Sequence, residues 1–359
     1  MLRSGRCGSG GMALGADNQC VVAPDRHSLA SHLPRPDATV RAIGAAVRYV
    51  GADVVLQALP LGLDPDAATL PLEFRRSWLI PVLRVNLRNA PLSLFMRYFL
   101  PIAMKIYRRL PSLGTVAARL YATIQHQFWE LLPAFLEQSR DLENTFPELA
   151  QVRTVSTRDG TELSKVLGAA LHERPDLRIV VMASIRAALR CAYQPDAPAP
   201  RVQLMARYAK NYFPILFNLF TADDDKAQVN APPGSPLAVA VGARGYDVRG
   251  TRLNALETVR LYADAAPSDL LVNYIRSALD KIELSTASAL PSSDGGDDGA
   301  MDDDQAARRK AEAEKMDLLK RSRIADLLSA LVRAASYESL RDVLDAISSW
   351  FYFRKSPLS

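Results

Sequence analysis

Histidine and cysteine are the residues of this chain best suited to metal or nucleophilic chemistry, and it holds few of either. His27 and His32 lie near Cys7 and Cys20. The two cysteines are separated by residues 8–19, whereas a structural zinc site pairs cysteines about two to four residues apart. The four residues therefore read as unpaired members of a tail. His126 and His172 fall in helical stretches with no serine or cysteine placed beside them as a nucleophile. Gly8-Ser9-Gly10-Gly11 has no Lys-Ser or Lys-Thr after it, so it is not a phosphate-cradling loop. The acidic runs Asp223–Asp225 and Asp302–Asp304 lack the spacing of a calcium loop and read as solvated carboxylates. No acid/base pair, nucleophile, metal set or cofactor is expected, and the chain reads as non-catalytic.

The basic residues form the pattern with more content. Lysine and arginine exceed the acids enough to give a net charge of +5 and a pI near 9.1. They recur as small clusters on the polar arcs or at the ends of apolar helices: Arg75-Arg76, Arg84 with Arg88, Lys105 with Arg108 and Arg109, Arg207 with Lys210, and Lys320-Arg321 with Arg323. Where repeats stack, equivalent positions align, and modest basic pairs then add into a stripe that can follow a phosphate backbone. The plainer reading is that the wet face of any helix carries lysine and arginine. The candidate RNA- or partner-binding set is Arg97, Lys105, Arg108, Arg109, Arg207, Lys210, Lys320, Arg321 and Arg323. Trp78, Trp129, Phe213 and Phe217 stand at helical spacing among apolar neighbours and read as core rather than base-stacking platforms.

The elements that would position these groups are helices. Hydrophobic residues make up 48% of the sequence, enough for a large core, and leucine and alanine dominate. Three scattered cysteines imply no disulfide framework, and a reducing compartment follows. No apolar run reaches the roughly 18 residues a membrane helix needs, and no secretory leader is evident. Residues 1–37 read as a Gly/Ser/Pro-rich tail, 38–284 as a helical array, 285–305 as an acidic low-complexity linker and 306–355 as a further helix pair. Within the array, Leu92, Phe95, Phe99, Ala103, Ile106 and Leu110 step by three and four. Residues 115–136 read as one helix, with His126 and Trp129 opposite its apolar face. Ile179–Met182 is read as helix because an alanine-rich stretch continues it. Residues 223–249 read as a long irregular connection in which Leu237–Val241 is either a strand or a buried helical turn. Ser77–Leu110 reads as two apolar helices split at Asn89–Pro91, with Pro81 and Pro101 inside them. Pro133 and Pro214 repeat the pattern, and a bent helix is expected at each. Helix pairs of this kind, each burying its face only against its neighbours, predict an all-α solenoid of the HEAT/armadillo class.

The ordered set Trp78–Leu83, Phe99–Ala103, Trp129–Phe135 and Asn211–Asn218 also resembles the nucleolar HEAT-repeat family of ribosomal RNA-processing protein twelve. The likeness runs over residues 40–355 and is densest over 70–220. It implies a scaffold of ribosome biogenesis in the nucleus and nucleolus. Its expected partners are pre-ribosomal RNA, small-subunit precursor particles, assembly factors and nuclear transport factors, with no membrane. It further implies a part in subunit export. An importin-like adaptor that binds proteins only is the alternative. Members of that family are several times longer, so the resemblance places this chain in the middle of such a protein.

Overall fold

The computed structural model describes residues 36–64, 66–67, 74, 76–146, 163–222, 231–287 and 303–335, together with 341–342, 344–345 and 347–348. Among these residues every regular element is helical, and the fold is the all-α solenoid that the apolar periodicity predicts. The tail cysteines and histidines, both aspartate runs except Asp303 and Asp304, and most of 336–359 lie outside the described residues.

Helix α1 (Pro36–Tyr49) and α2 (Ala52–Ala58) are divided at Gly51, whose φ of 117° lies where side chains with a Cβ are strained. Helix α3 (Leu79–Asn86) packs on α1, and the chain then turns at Asn89, which takes a left-handed φ of 50°. Next comes one helical run made of α4 (Leu92–Leu94), a π-helical turn (Phe95–Phe99) and α5 (Leu100–Arg109). After a 3₁₀ turn (Leu110–Ser112) follow α6 (Thr115–Trp129), α7 (Leu132–Glu137) and α8 (Leu142–Thr145). Then come α9 (Leu163–Glu173), a second 3₁₀ turn (Pro175–Leu177), α10 (Arg178–Ala192) and α11 (Ala199–Thr221). Helices α12 (Pro236–Arg244), α13 (Val248–Ala263), α14 (Ser268–Ala287) and α15 (Asp303–Ala334) complete the described array. Neighbours stack in order: α5 on α6, α7 on α10, α9 on α11, α11 on α13, and α13 and α14 on α15.

The four prolines do not all bend helices. Pro81 and Pro133 sit in the first turns of α3 and α7, where the missing N–H has no intrahelical acceptor to lose. Pro101 follows the π turn, in which the Leu100 N–H donates to the Phe95 carbonyl five residues back. That wider turn makes room for a ring that would otherwise collide with the Arg97 carbonyl. Pro214 alone of the four lies inside an otherwise regular α-helix. Three of the expected bends are thus a helix start, a helix start and a π turn.

Other boundaries also moved. The helix expected over 115–136 breaks after Trp129, and both His126 and Trp129 are buried rather than facing water. Trp129 packs edge-on to Phe95, with ring centroids 6.5 Å apart. The stretch from Ile179 is helical, as the alanine content implies. Within 223–249 the open choice at Leu237–Val241 resolves to helix α12. The Ser235 Oγ accepts the Ala238 N–H at 3.1 Å, Pro236 occupies the first turn and Gly245 ends the helix at φ 77°. This helix packs back onto α5 and α6. Around 285–305, helix α14 runs on through Ala287, and α15 begins at Asp303.

Asp141 shows how successive repeats are fastened. It accepts the Leu92 N–H at 2.6 Å and the Ser93 N–H at 3.1 Å, capping α4 from 49 residues away in sequence. Thr145 and Ser139 donate their hydroxyls to the same carboxylate. Burial works to raise the Asp141 carboxyl, but the Ser93, Leu92 and Thr145 hydrogen bonds outweigh it and hold the carboxyl below the ordinary aspartate range. A depressed folded-state value means that this stabilisation is present above about pH 3.9, the unfolded value, and is lost as pH falls through the folded value. Asp141→Asn should therefore lower the melting temperature at pH 7, and the gap from wild type should narrow below pH 4. Melting curves at pH 7 and pH 3 check it; a gap that stays constant with pH contradicts the cap.

Candidate nucleic-acid interface

The nine candidate cations divide by what their side chains do. Lys105 on α5 pairs with Asp66, and Arg109 donates to the Ala67 carbonyl at 2.6 Å, so both pin the preceding loop to the helix. On α15, Arg321 pairs with Asp317 one turn away, and Arg323 donates to the Ala222 carbonyl at 2.8 Å. Arg252 of α13 donates to that same carbonyl at 2.6 Å. Ala222 closes α11, so two guanidiniums meet the negative end of the longest described apolar helix. Lys320 is half-buried and engaged with neighbouring groups.

The remaining four face solvent. Arg97 on the π turn bends back to the Ser93 carbonyl at 3.3 Å and is exposed. Arg108 at the end of α5, and Arg207 and Lys210 on α11, are exposed and have no hydrogen-bond or ion-pair partner among the described residues. Exposed cations without partners keep their full charge for an external anion, whereas a cation already paired offers little. The candidate interface is therefore Arg97, Arg108, Arg207 and Lys210.

The strongest electrostatics lie inside the stack. Arg174, which follows α9, forks onto Asp176 with N–O distances of 2.9 and 2.6 Å. It also donates to Gln125 of α6 at 3.3 Å and lies 3.7 Å over the Tyr107 ring of α5. Arg186 of α10 reaches across to α13, donating to the Asn254 carbonyl, Asn254 Oδ1 and Thr258 Oγ1 at 3.1, 2.7 and 2.8 Å. Arg201 of α11 forks onto Glu143 of α8. Glu130 receives Arg84 of α3 at 2.8 Å and His126 at 3.4 Å, with Arg244 of α12 at 3.9 Å. Burial acts to raise the Glu130 carboxyl, but the His126 hydrogen bond and the neighbouring Arg84 and Arg244 guanidiniums hold it low. Each of these groups ties two or more elements.

The two residues most open to a catalytic reading are structural as well. Cys191 is fully buried; its thiol donates to the Ser139 carbonyl at 3.8 Å and accepts from Arg201 at 3.6 Å. Burial pushes that thiol up, away from the thiolate that nucleophilic chemistry needs. His126 spends Nε2 on Glu130, and its Nδ1 is buried without a partner. Among the described residues no group of three or more His, Cys, Asp or Glu is placed to hold a metal ion. No described helix is long and apolar enough to cross a membrane.

Sequence comparison is consistent with this geometry. Residues 30–223 match a family profile described as ribosomal RNA-processing protein 12, HEAT repeats. An RRP12-like protein of Homo sapiens is 34% identical over 258 residues, which is 71% of this chain and 17% of that relative. An RRP12-like protein of Gallus gallus is 31% identical over the same shares. The putative ribosomal RNA-processing protein 12 of Schizosaccharomyces pombe is 33% identical over 41% of this chain and 11% of its own length. The chain thus spans under a fifth of the length of these relatives.

Proposed function

The chain belongs to the HEAT-repeat family of ribosomal RNA-processing protein 12, and from that premise we propose that it is a non-catalytic scaffold segment of ribosome biogenesis. The observation that carries the reading is the family match across α1–α11, the stack that holds Arg97, Arg108, Arg207 and Lys210. In this reading Arg97, Arg108, Arg207 and Lys210 contact the phosphates of pre-ribosomal RNA. Lys105, Arg109, Arg321 and Arg323 instead hold the repeats to their loops and to one another. The scaffold works in the nucleus and nucleolus on small-subunit precursor particles, beside assembly factors, and it supports subunit export through transport factors.

Salt dependence tests the RNA contact. Each phosphate contact contributes about 0.7 to the slope of log affinity against log salt for single-stranded RNA, so four contacts give a slope of roughly −3. Replacing all four residues with glutamate should bring the slope near zero. The melting temperature should stay unchanged, because the four side chains are exposed. No retention of RNA at low salt defeats the proposal, and a large fall in melting temperature marks the four as structural. A tagged chain that captures transport factors without ribosomal precursors favours the protein-only adaptor instead.

A further inference from the structure

Helices α11, α14 and α15 meet around a surface cleft of about 110 Å³. Its floor is apolar: Phe217, Tyr274, Ala278, Ile324 and Leu327. Phe217 and Tyr274 meet edge to face with centroids 5.0 Å apart, which fixes the width of that floor. The rim is different. Lys281 lines the mouth from α14, is exposed and has no partner among the described residues. On α11 the stripe 207, 210, 214, 217, 221 steps by three and four, so Arg207 and Lys210 continue the face that lines the cleft. Among the described residues no carboxylate lines it. Pro214 sits on that stripe and supplies no N–H, so the Lys210 carbonyl loses its helical donor at the edge of the cleft.

Size and charge together select the occupant. Small-molecule and cofactor sites run to roughly 300–1,000 Å³, well above this cleft. An engineered cavity of about 150 Å³ holds one benzene ring, so 110 Å³ suits a branched aliphatic side chain. We propose that this cleft is a docking site for an acidic segment of a partner protein, anchored by one leucine whose flanking carboxylates meet Lys281, Lys210 and Arg207. This goes beyond the RNA-contact reading, because Arg97 and Arg108 take no part in it.

The test is fluorescence anisotropy with a labelled nine-residue peptide of aspartates and glutamates around one leucine, titrated with the full chain at low salt. Saturable binding is expected. Replacing the peptide leucine with glycine should weaken it about tenfold or more, the effect of burying one such side chain. Lys281→Glu should do likewise, and Ser277→Leu, which fills the mouth from an exposed position, should abolish it. Circular dichroism melting should show both variants folded as the parent. Arg97→Glu with Arg108→Glu should leave peptide binding intact while weakening RNA, so the two readings fail separately. Absence of binding overturns the proposal, as does equal affinity for the leucine-free peptide. Binding that emerges only after residues 288–302 are deleted assigns the cleft to this chain's own acidic stretch and likewise overturns a partner site.

Discussion

Arg174→Leu should destabilise the chain by about 3–5 kcal/mol, the usual cost of removing one partner from a buried ion pair. The Asp176 side chain is only 2% exposed and Arg174 only 9%. Without the guanidinium, the carboxylate keeps its desolvation penalty and loses two charge-assisted hydrogen bonds of 2.9 and 2.6 Å. Gln125 also loses its donor; its own Nε2 is already buried without a partner, so the α6 side has no local substitute. Tyr107 loses the cation over its ring as well. The double variant Arg174→Leu with Asp176→Leu removes both charges and should recover most of the loss. Urea unfolding of the four proteins in a double-mutant cycle measures this coupling. If the two single effects add, Arg174 acts through its packing alone, and the ion pair contributes nothing.

That arginine also shows where the sequence was opaque. The apolar periodicity made the helices legible because each buries one stripe, as α11 does, while Leu204, Tyr208, Ile215 and Leu219 on its other side are only half-buried. Its buried residues Met205, Phe213, Phe217 and Phe220 are the ones the pattern indicates. Charge carries no such periodicity. Lys105 and Arg108 look alike in sequence, yet one is pinned to Asp66 and the other has no partner among the described residues. The difference is made by a loop some 40 residues upstream that no local pattern reports. Arg174 and Arg186 were missed for the same reason, since their partners Gln125 and Asn254 lie 49 and 68 residues away. The Arg-Pro-Asp order at 174–176 did hold a signal. A residue before proline leaves the helical region, so that arginine had to stand at a helix end with a carboxylate two positions on. The prolines were over-read for a related reason. An apolar pentad around proline looks the same whether it begins a helix, follows a π turn or bends an α-helix.

The π turn supplies the second large effect. Phe99 is fully buried, and its ring lies 6.2, 5.8 and 5.8 Å from the rings of Phe95, Phe128 and Phe135. It therefore joins the π turn to α6 and α7 at one point. Phe99→Ala should cost about 3–5 kcal/mol, because three rings fixed by their own helices cannot collapse into the space left behind. Phe217→Ala should cost less. That ring is 8% exposed and already borders the α11 cleft, so part of the vacated volume opens to water instead of forming a sealed void. A solenoid passes stability only between neighbouring repeats, so the damage from Phe99→Ala should stay local. Amide hydrogen exchange should accelerate across Leu92–Glu137 while α13 and the second half of α15 keep their protection. Uniform acceleration along the chain would mean that the array unfolds as a single cooperative unit. The Pro101 site decides what the π turn itself contributes. Pro101→Ala restores an N–H and removes the ring that the wide turn accommodates. If that substitution stabilises the chain without moving Phe99, the ring stack holds the turn open. If it loosens Phe99 and destabilises the chain, proline is what keeps the helix wound so that four aromatic rings can meet.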